Sequence, residues 1–425
     1  MSKMIKGHSA RVNLTEWLSY LENIHAVEID LGLKRIAQVA EKLNIAFPNA
    51  TVITVAGTNG KGTTCAFLEN AFLAQNLTCS VYSSPHIERF NERLRINRCE
   101  VTDDALVSAF DTIESARGDI SLTYYEYTTL AALLVLMAEQ PDVIILEVGL
   151  GGRLDATNII DADVAVVTTI DLDHQAYLGD TREAIGFEKA GIMRAHKMAV
   201  VGDTNPPKSL AAHADNILAK AYFREQHFTA KSTNNNSTWS WSSDKNNFSA
   251  LSACHIPQDN VATAMMVLEL LTDKLTLSLD SQFINEIIAQ TKVAGRMEKF
   301  SLDCDVILDV GHNPQAARYL ATQLQKLNYP KVHAVLGMLS DKDVANTVVA
   351  LLPEVTQWYI GTLNVPRGCA ANKIVEQMQI DPSKVNCFDN VSQAFRMAKQ
   401  NAKATDLVLV FGSFFTVAEI RRLLV

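Results

Sequence analysis

Thr51-Val-Ile-Thr-Val55 runs almost directly into Gly57-Thr58-Asn59-Gly60-Lys61-Gly62-Thr63-Thr64, and an apolar helical pattern follows from Thr64 to Leu73. A buried strand, a Gly-rich loop and a helix make the first half of a βαβ unit. Glycines let backbone N–H groups turn toward a phosphate, and the helix that follows adds the positive end of its dipole. Lys61 would sit against the β- and γ-phosphates of a nucleotide, and a hydroxyl from Thr63 or Thr64 would face the phosphates and a metal. The strict pattern G-x-x-x-x-G-K-[ST] fails, because position 55 is Val and Gly62 follows the lysine. The flanking strand and helix therefore carry the nucleotide reading. The alternative is a tight turn with a solvated lysine.

Outward from this stretch the same rhythm continues. Apolar runs at Asp142 to Val148, Asp163 to Ile170 and Met198 to Gly202 read as strands, with a helix from Tyr127 to Ala138 before the first. They are apolar throughout, as expected of a parallel sheet covered on both faces. Before the loop, Leu14, Trp17, Leu18, Leu21 and Ile24 recur at helical spacing after candidate caps Asn13 and Thr15, and a second helix is expected over Leu33 to Leu43. Ser232 to Asn247, where Trp239 and Trp241 alternate with Ser, reads as loops and short antiparallel strands, a hairpin excursion inserted at the surface. A helix from Asn260 to Leu271 and a hinge at Val293 to Glu298 follow. Strands at Val306 to Val310, Val332 to Leu336, Trp358 to Gly361 and Leu407 to Phe411, with a last helix at Thr416 to Leu424, repeat the pattern. The expected class is α/β. A large P-loop-type, doubly wound, mostly parallel sheet domain spans 1–294, and a smaller Rossmann-like α/β domain spans 295–425.

Composition narrows the class. At roughly 150 residues per domain, 425 residues suggest two or three domains. With 48% hydrophobic and 20% charged residues, the chain can bury a large core, which excludes a disordered or disulfide-stapled protein. Lys and Arg number 38 against 47 Asp and Glu, for a net charge of −9. Proteins that live by phosphate-backbone contacts are normally basic, so no nucleic-acid partner is expected. The seven cysteines are scattered without a C-x-x-C pair, which suits a reducing compartment. Met1 to Arg11 holds no apolar core of a signal peptide. The longest apolar run, Ala131 to Ala138, is far short of the roughly 18 residues a membrane span needs. A cytoplasmic monomer with no membrane partner is expected.

The octapeptide at 57–64 resembles the phosphate loop of the Mur ligase superfamily, and specifically of folylpolyglutamate and dihydrofolate synthases. Further segments agree in order: Ser84-Pro85-His86, Asn91-Glu92-Arg93, Glu147-Val-Gly-Leu-Gly-Gly-Arg-Leu-Asp-Ala-Thr-Asn158, Asp173-His174, Glu188-Lys-Ala-Gly-Ile192, Gly295-Arg-Met-Glu298, Asp309-Val-Gly-His-Asn-Pro314 and Gly412-Ser-Phe414. The resemblance spans nearly the whole chain, and 147–158 is its most specific part. It implies an amide ligase that phosphorylates a carboxylate with ATP and then lets the amine of L-glutamate attack the acyl phosphate. The acids would be dihydropteroate and reduced folates.

The residue roles follow from the same resemblance. Gly57, Thr58, Asn59, Gly60, Lys61, Gly62, Thr63 and Thr64, with Asn260, Arg296 and Asp309, would hold ATP. Ser84, Glu147 and His174 would surround one Mg²⁺, and Lys189, carrying CO₂ as a carbamate, would bridge to a second. Lys61, His174 and Lys189 would serve catalysis. Glu147 also fits by position, since an acid at a strand end beside a phosphate loop is where Mg²⁺ is held. A capping Glu, a polar loop His and a helix-surface Lys are the alternatives. Arg296 and Asp309 could instead pair with each other. Ile29, Asp30, Leu31 and Gly32, with Thr123, Tyr125 and Asp155, look like a pterin pocket, though Tyr125 could be core and Asp155 a turn cap. His312 and Ser413 look like glutamate-binding positions, with Asp341-Lys342-Asp343 as possible support. Where the family often reads His-Asn-Pro-His, this chain has Gln315 at the last place.

Other readings remain. The chain could be a monofunctional folylpolyglutamate synthase, a peptidoglycan-precursor ligase or a nucleotide-driven switch. The short stretch before the phosphate loop argues against the second, which usually carries an additional N-terminal domain.

Overall fold

The computed structural model describes residues 12–27, 29–233 and 238–425, so the expectation for Met1 to Arg11 lies outside the described residues. Among them, the first sheet takes β1 (Thr51–Ala56), β2 (Cys79–Tyr82), β3 (Leu94–Ile96), β4 (Cys99–Glu100), β5 (Val143–Glu147), β6 (Val164–Val167), β7 (Met198–Val201) and β8 (Lys220–Phe223). Their order is β4-β3-β2-β5-β1-β6-β7-β8. β1 sits inside the sheet, parallel to β5 and β6, and the antiparallel pairings, β2 with β3 and β3 with β4, lie at one edge. The residues of β1 and β5 are buried throughout, as their uninterrupted apolar runs require. The helix Lys61–Ala74 buries Cys65, Phe67, Leu68, Ala71 and Phe72 in the core on one face of this sheet.

β9 (Phe228–Ser232), β10 (Thr238–Ser243) and β11 (Asn247–Ser252) form a small antiparallel sheet. The antiparallel strands are as expected, and only their placement at the surface is corrected. The period-two alternation puts Trp239 and Trp241 on one face, 2% and 0% exposed, in the same core as Val261 and Met265. Trp241 Nε1 donates to the Ala262 carbonyl at 3.0 Å and Trp239 Nε1 to that of Ser252 at 2.8 Å. The intervening serines stay partly exposed and make the segment look like a surface hairpin.

The third sheet takes β12 (Glu298–Ser301), β13 (Asp305–Asp309), β14 (Val332–Leu336), β15 (Gln357–Gly361), β16 (Val385–Phe388) and β17 (Leu407–Phe411), in the order β12-β13-β17-β14-β15-β16. All pair in parallel except β12. Sequence reading missed the edge strands β12 and β16, which are half exposed and lack an apolar run. The expected boundary at 294/295 falls between the helix Ser281–Gln290 and β12, at a bend where Gly295 and Met297 adopt φ of +63° and +48°.

Candidate active site

Register places the chemistry. Val55 pairs with Glu147 and Ala56 with Val167, so the phosphate loop, Glu147 and Thr168-Thr169 leave the sheet at one edge. Ligands of open α/β sheets collect at such carboxyl ends. Gly60, at φ +90°, caps the helix that begins at Lys61, and a Cβ there would lie 2.4 Å from Asn260 Oδ1. Lys61 Nζ donates to the Gly57 carbonyl at 3.1 Å. Thr63 Oγ1 donates to the Gly60 carbonyl at 3.0 Å and accepts from Asn260 Nδ2 at 2.7 Å. Thr58 Oγ1 donates to the Asp171 carbonyl, and Thr64 Oγ1 is buried without a partner among the described residues. Asn260 therefore braces the loop from the helix Gln258–Leu275.

Glu147 ends β5, buried, with its Oε2 3.6 Å from where a Cβ on Gly62 would be. Burial raises its pKa, and the fields of Lys61, Arg296 and Arg95 oppose that. His174 stands at φ +51° just before the helix Gln175–Leu178, and burial lowers it to about 4, so its imidazole is neutral at pH 7. Lys189 is not a helix-surface lysine. It is 4% exposed, and burial, then Lys61, lowers it to about 7. The Gly-rich segment after Glu147 explains how its helix comes so near. A Cβ on Gly152 would lie 2.9 Å from the Glu188 carbonyl oxygen and 3.1 Å from Lys189 Cα. Arg153 N donates to that same carbonyl at 2.7 Å. Ser84 precedes the cis peptide to Pro85 and lies beside the Tyr125 hydroxyl. No three His, Cys, Asp or Glu side chains form a metal cage among the described residues. The donors at hand are a carboxylate with no hydrogen bond among the described residues, a neutral imidazole and a hydroxyl. Mg²⁺ keeps several waters and needs few protein ligands, so this set fits it.

The last third of the chain closes over this edge. Asp309 ends β13 and accepts from Met297 N at 2.9 Å and Gly311 N at 2.8 Å. Arg296 makes no direct ion pair with it among the described residues; its guanidinium lies 5.7 Å from the Phe414 ring centre. His312 Nδ1 donates to the Val310 carbonyl at 2.8 Å, and its Nε2 is 3.7 Å from Asp173. Ser413 Oγ caps the helix Phe414–Arg421 by accepting from Thr416 N at 3.0 Å. Asp173 takes Lys342 Nζ at 2.8 Å and Asn313 Nδ2 at 3.3 Å. Against burial, His312 first and then the charges of Lys342 and His174 hold its carboxyl far below the usual range. Asn313 Nδ2 also reaches Asn59 Oδ1 at 3.1 Å, and Asn59 Nδ2 donates to Gln315 Oε1.

Of the expected pterin residues, Asp30, Thr123 and Tyr125 meet at the start of one helix. Arg35 binds Asp30 at 2.7 Å and Glu126 at 3.2 Å, while Glu126 and Thr123 cap each other at the start of the helix Tyr124–Glu139. The loop 29–32 is thus pinned to that helix end. Tyr125 is buried deeply enough to raise its pKa well above 10, and it stacks on Tyr82 at 6.3 Å. Asp155 accepts from Gly149 N, Leu150 N, Thr157 N and Thr157 Oγ1 at 2.7–3.0 Å, all within its own loop.

Asn59, Gly60, Thr63, Asn260, Arg296, Asp309 and Tyr319 line one cavity of about 250 Å³. Residues from both sides of the bend thus face a single space. Against family models, residues 55–268 match the Mur ligase middle domain and 295–414 the Mur ligase glutamate ligase domain. The chain belongs to the Mur ligase family. It is an ATP-dependent ligase. It is 46% identical to the dihydrofolate synthase/folylpolyglutamate synthase of Escherichia coli over 96% of this chain and 94% of that one. Among solved structures, E. coli FolC in complex with DHPP and ADP superposes with a TM-score of 0.92 at 45% identity, covering 98% of this chain and 99% of that one. The bifunctional Yersinia pestis enzyme complexed with AMPPNP and Mn ion gives 0.91 at 44%, covering 99% and 100%.

Sequence reading of this Mur ligase missed Asn313 and Gln315 as partners of the phosphate loop, and Tyr319 in the cavity wall. The one available signal was Gln315 itself, the place where the motif departs from its family pattern. The sequence offers Lys342 as support for the glutamate positions or as a solvated charged turn, and in neither case as a partner of Asp173. Its pairing with Asp173 spans 169 residues, which no local pattern discloses. No helix among the described residues is long and apolar enough to cross a membrane.

Proposed function

We propose that this ligase joins L-glutamate to dihydropteroate, giving dihydrofolate, and adds further glutamates to reduced folates. The observation that carries the reading is the shared cavity, where phosphate-loop residues face Asn260, Arg296 and Asp309. Nucleotide and divalent metal use is supported by the relatives that bind ADP, or AMPPNP with Mn.

The reaction has two displacements. The acid's carboxylate oxygen attacks the γ-phosphorus of ATP, and ADP leaves with the bridging oxygen. The glutamate amine then attacks the acyl carbon, and phosphate departs with the electrons of the C–O bond. Oxide is a poor leaving group and phosphate a good one, which is why ATP is spent. Phosphoryl transfer is largely positioning and charge stabilisation. Gly57 to Thr64 would hold the phosphates through backbone N–H groups, and Lys61 would move from the Gly57 carbonyl to the transferring phosphoryl group. Arg296, beyond the bend, would add its charge on closure. Ser84, Glu147 and His174 would hold Mg²⁺, which supplies neutralising charge to ATP and the carboxylate.

Lys189 at about 7 is substantially unprotonated near neutral pH, and only a neutral amine can take up CO₂. Carbamylation would turn it into an anionic oxygen donor for a second Mg²⁺. The pocket of Ile29 to Gly32, Thr123, Tyr125 and Asp155 would receive the pterin, and His312 and Ser413, beside the cross-chain contacts of Asp173, the incoming glutamate. All these residues come from a single chain, so a monomer suffices. The seven unpaired thiols fit the cytoplasm.

The test is purified protein with ATP, Mg²⁺ and L-glutamate, offered dihydropteroate or tetrahydrofolate. ADP release that needs both the acid and glutamate supports ligation, and acid-independent hydrolysis would reject it. Lys61→Ala should lower ligation by at least about 10³-fold with the fold retained; substantial residual activity would reject the phosphate-loop assignment.

A further inference from the structure

The motif Asn91-Glu92-Arg93 is given no role by anything above. Its loop is wound around one carboxylate: Glu92 accepts from Ile87 N, Glu88 N and Arg89 N at 2.7–2.8 Å. Glu92 is therefore committed to backbone, not to its neighbour Arg93. The Arg93 carbonyl accepts from Ser83 N at 2.8 Å, which fixes the arginine beside the Ser84 turn. Its side chain is held from three sides. Nε donates to His86 Nδ1 at 2.8 Å, and the guanidinium carbon lies 5.6 Å from the Phe90 ring centre and 5.8 Å from that of Tyr124. The two rings stand at 88° to each other.

This clamp leaves the functional end open. Among the described residues no carboxylate pairs with Arg93, and Nη1 and Nη2 donate to nothing. A half-buried cation oriented by aromatic faces and a neutral acceptor, with its two-pronged end unused, is built to receive a planar anion. Tyr124, one side of the clamp, follows Thr123 and precedes Tyr125, so the open prongs adjoin the proposed pterin pocket. Ile87, in the same loop, packs against the core of the third sheet, so Arg93 also stands near the crevice between the two halves.

Two kinds of substrate carboxylate come into question. The reacting one must approach Lys61 and Glu147. Arg93 instead lies over Phe90 and Tyr124, and Tyr124 stands between Thr123 and Tyr125 of the acid's proposed pocket. Dihydropteroate ends in a single carboxylate, the one that reacts. Tetrahydrofolate ends in glutamate, which has a second carboxylate that does not react. We propose that Arg93 binds this spectator α-carboxylate, and so positions γ-glutamyl acids for ligation without serving dihydropteroate. The inference rests on the ligase reading above and deepens it by separating its two acids.

The experiment measures KM and kcat for both acids in wild type, Arg93→Gln and Arg93→Lys. Wild type must ligate both, which tests the underlying reading independently of Arg93. Arg93→Gln should raise KM for tetrahydrofolate at least about tenfold, with kcat for either acid and KM for dihydropteroate within about twofold. Arg93→Lys, which keeps the charge, should recover part of the loss. Equal losses with both acids, or no change with either, would overturn the assignment. Should Arg93→Gln not fold, Arg93→Lys decides alone: a KM increase confined to tetrahydrofolate supports the proposal, and any other pattern rejects it.

Discussion

Lys342 Nζ lies 2.8 Å from Asp173 Oδ1, an ion pair 7% and 12% exposed that joins the two halves of the chain one residue from His174. Burial of this kind makes the pair expensive to break from one side, since the remaining charge loses its partner. Asp173→Asn and Lys342→Met should each lower kcat/KM about 10- to 100-fold. Their double-mutant cycle should show a coupling of about 1.5–3 kcal/mol. Additive losses would mean that the contact does not serve closure.

Glu147, buried at the end of β5, faces the phosphate loop at Gly62 and makes no side-chain hydrogen bond among the described residues. Glu147→Gln keeps the shape and removes the charge. The Mg²⁺ concentration for half-maximal activity should rise at least about tenfold. An unchanged Mg²⁺ titration counts against metal ligation there.

Lys189 supplies a separate handle. If it works as a carbamate, activity should fall after rigorous CO₂ removal and return with bicarbonate. Short carboxylates should partly restore Lys189→Ala. Indifference to CO₂ together with no rescue would leave Lys189 as a buried amine only.

Gly152 is set by clearance. A Cβ there meets the Glu188 carbonyl oxygen at 2.9 Å and Lys189 Cα at 3.1 Å, and both neighbours are backbone. Gly152→Ala should cost about 1–3 kcal/mol of stability, read as the shift in urea midpoint, and should depress activity by displacing Lys189. A variant with wild-type stability and turnover would show that this helix can move freely.

Glu114 gives the pH prediction. Burial pushes its carboxyl up, but hydrogen bonds from Arg117, Tyr127 and Tyr20 outweigh this and hold it at about 2. Its folded pKa is thus below the ordinary 4.5, so its contribution is complete above about pH 4.5 and fades as pH falls toward 2. Glu114→Gln should lose on the order of 2–3 kcal/mol at pH 7, with the gap to wild type narrowing over that acid window. A gap independent of pH would place the effect in packing.

The legible parts were those whose signal is local. β1, β5, β14 and β17 are buried on both faces, so each announces itself as a short apolar run. The phosphate loop is legible because its glycines, lysine and helix are contiguous. β12 and β16 were hidden, being half exposed at sheet edges, and the burial of Trp239 and Trp241 was masked by the serines that alternate with them.

From its order of residues alone, this chain discloses an α/β ligase with a phosphate loop, and it points to Glu147, His174 and Lys189. Which side chains meet is settled by folding. The burial of Lys189, the reach of Gln315 and Asn313 to Asn59, and the open prongs of Arg93 depend on segments far apart in sequence. The physical reason is that desolvation and pairing belong to an environment assembled from several strand ends. A residue's neighbours along the chain fix its local geometry but not the charges and faces packed against it.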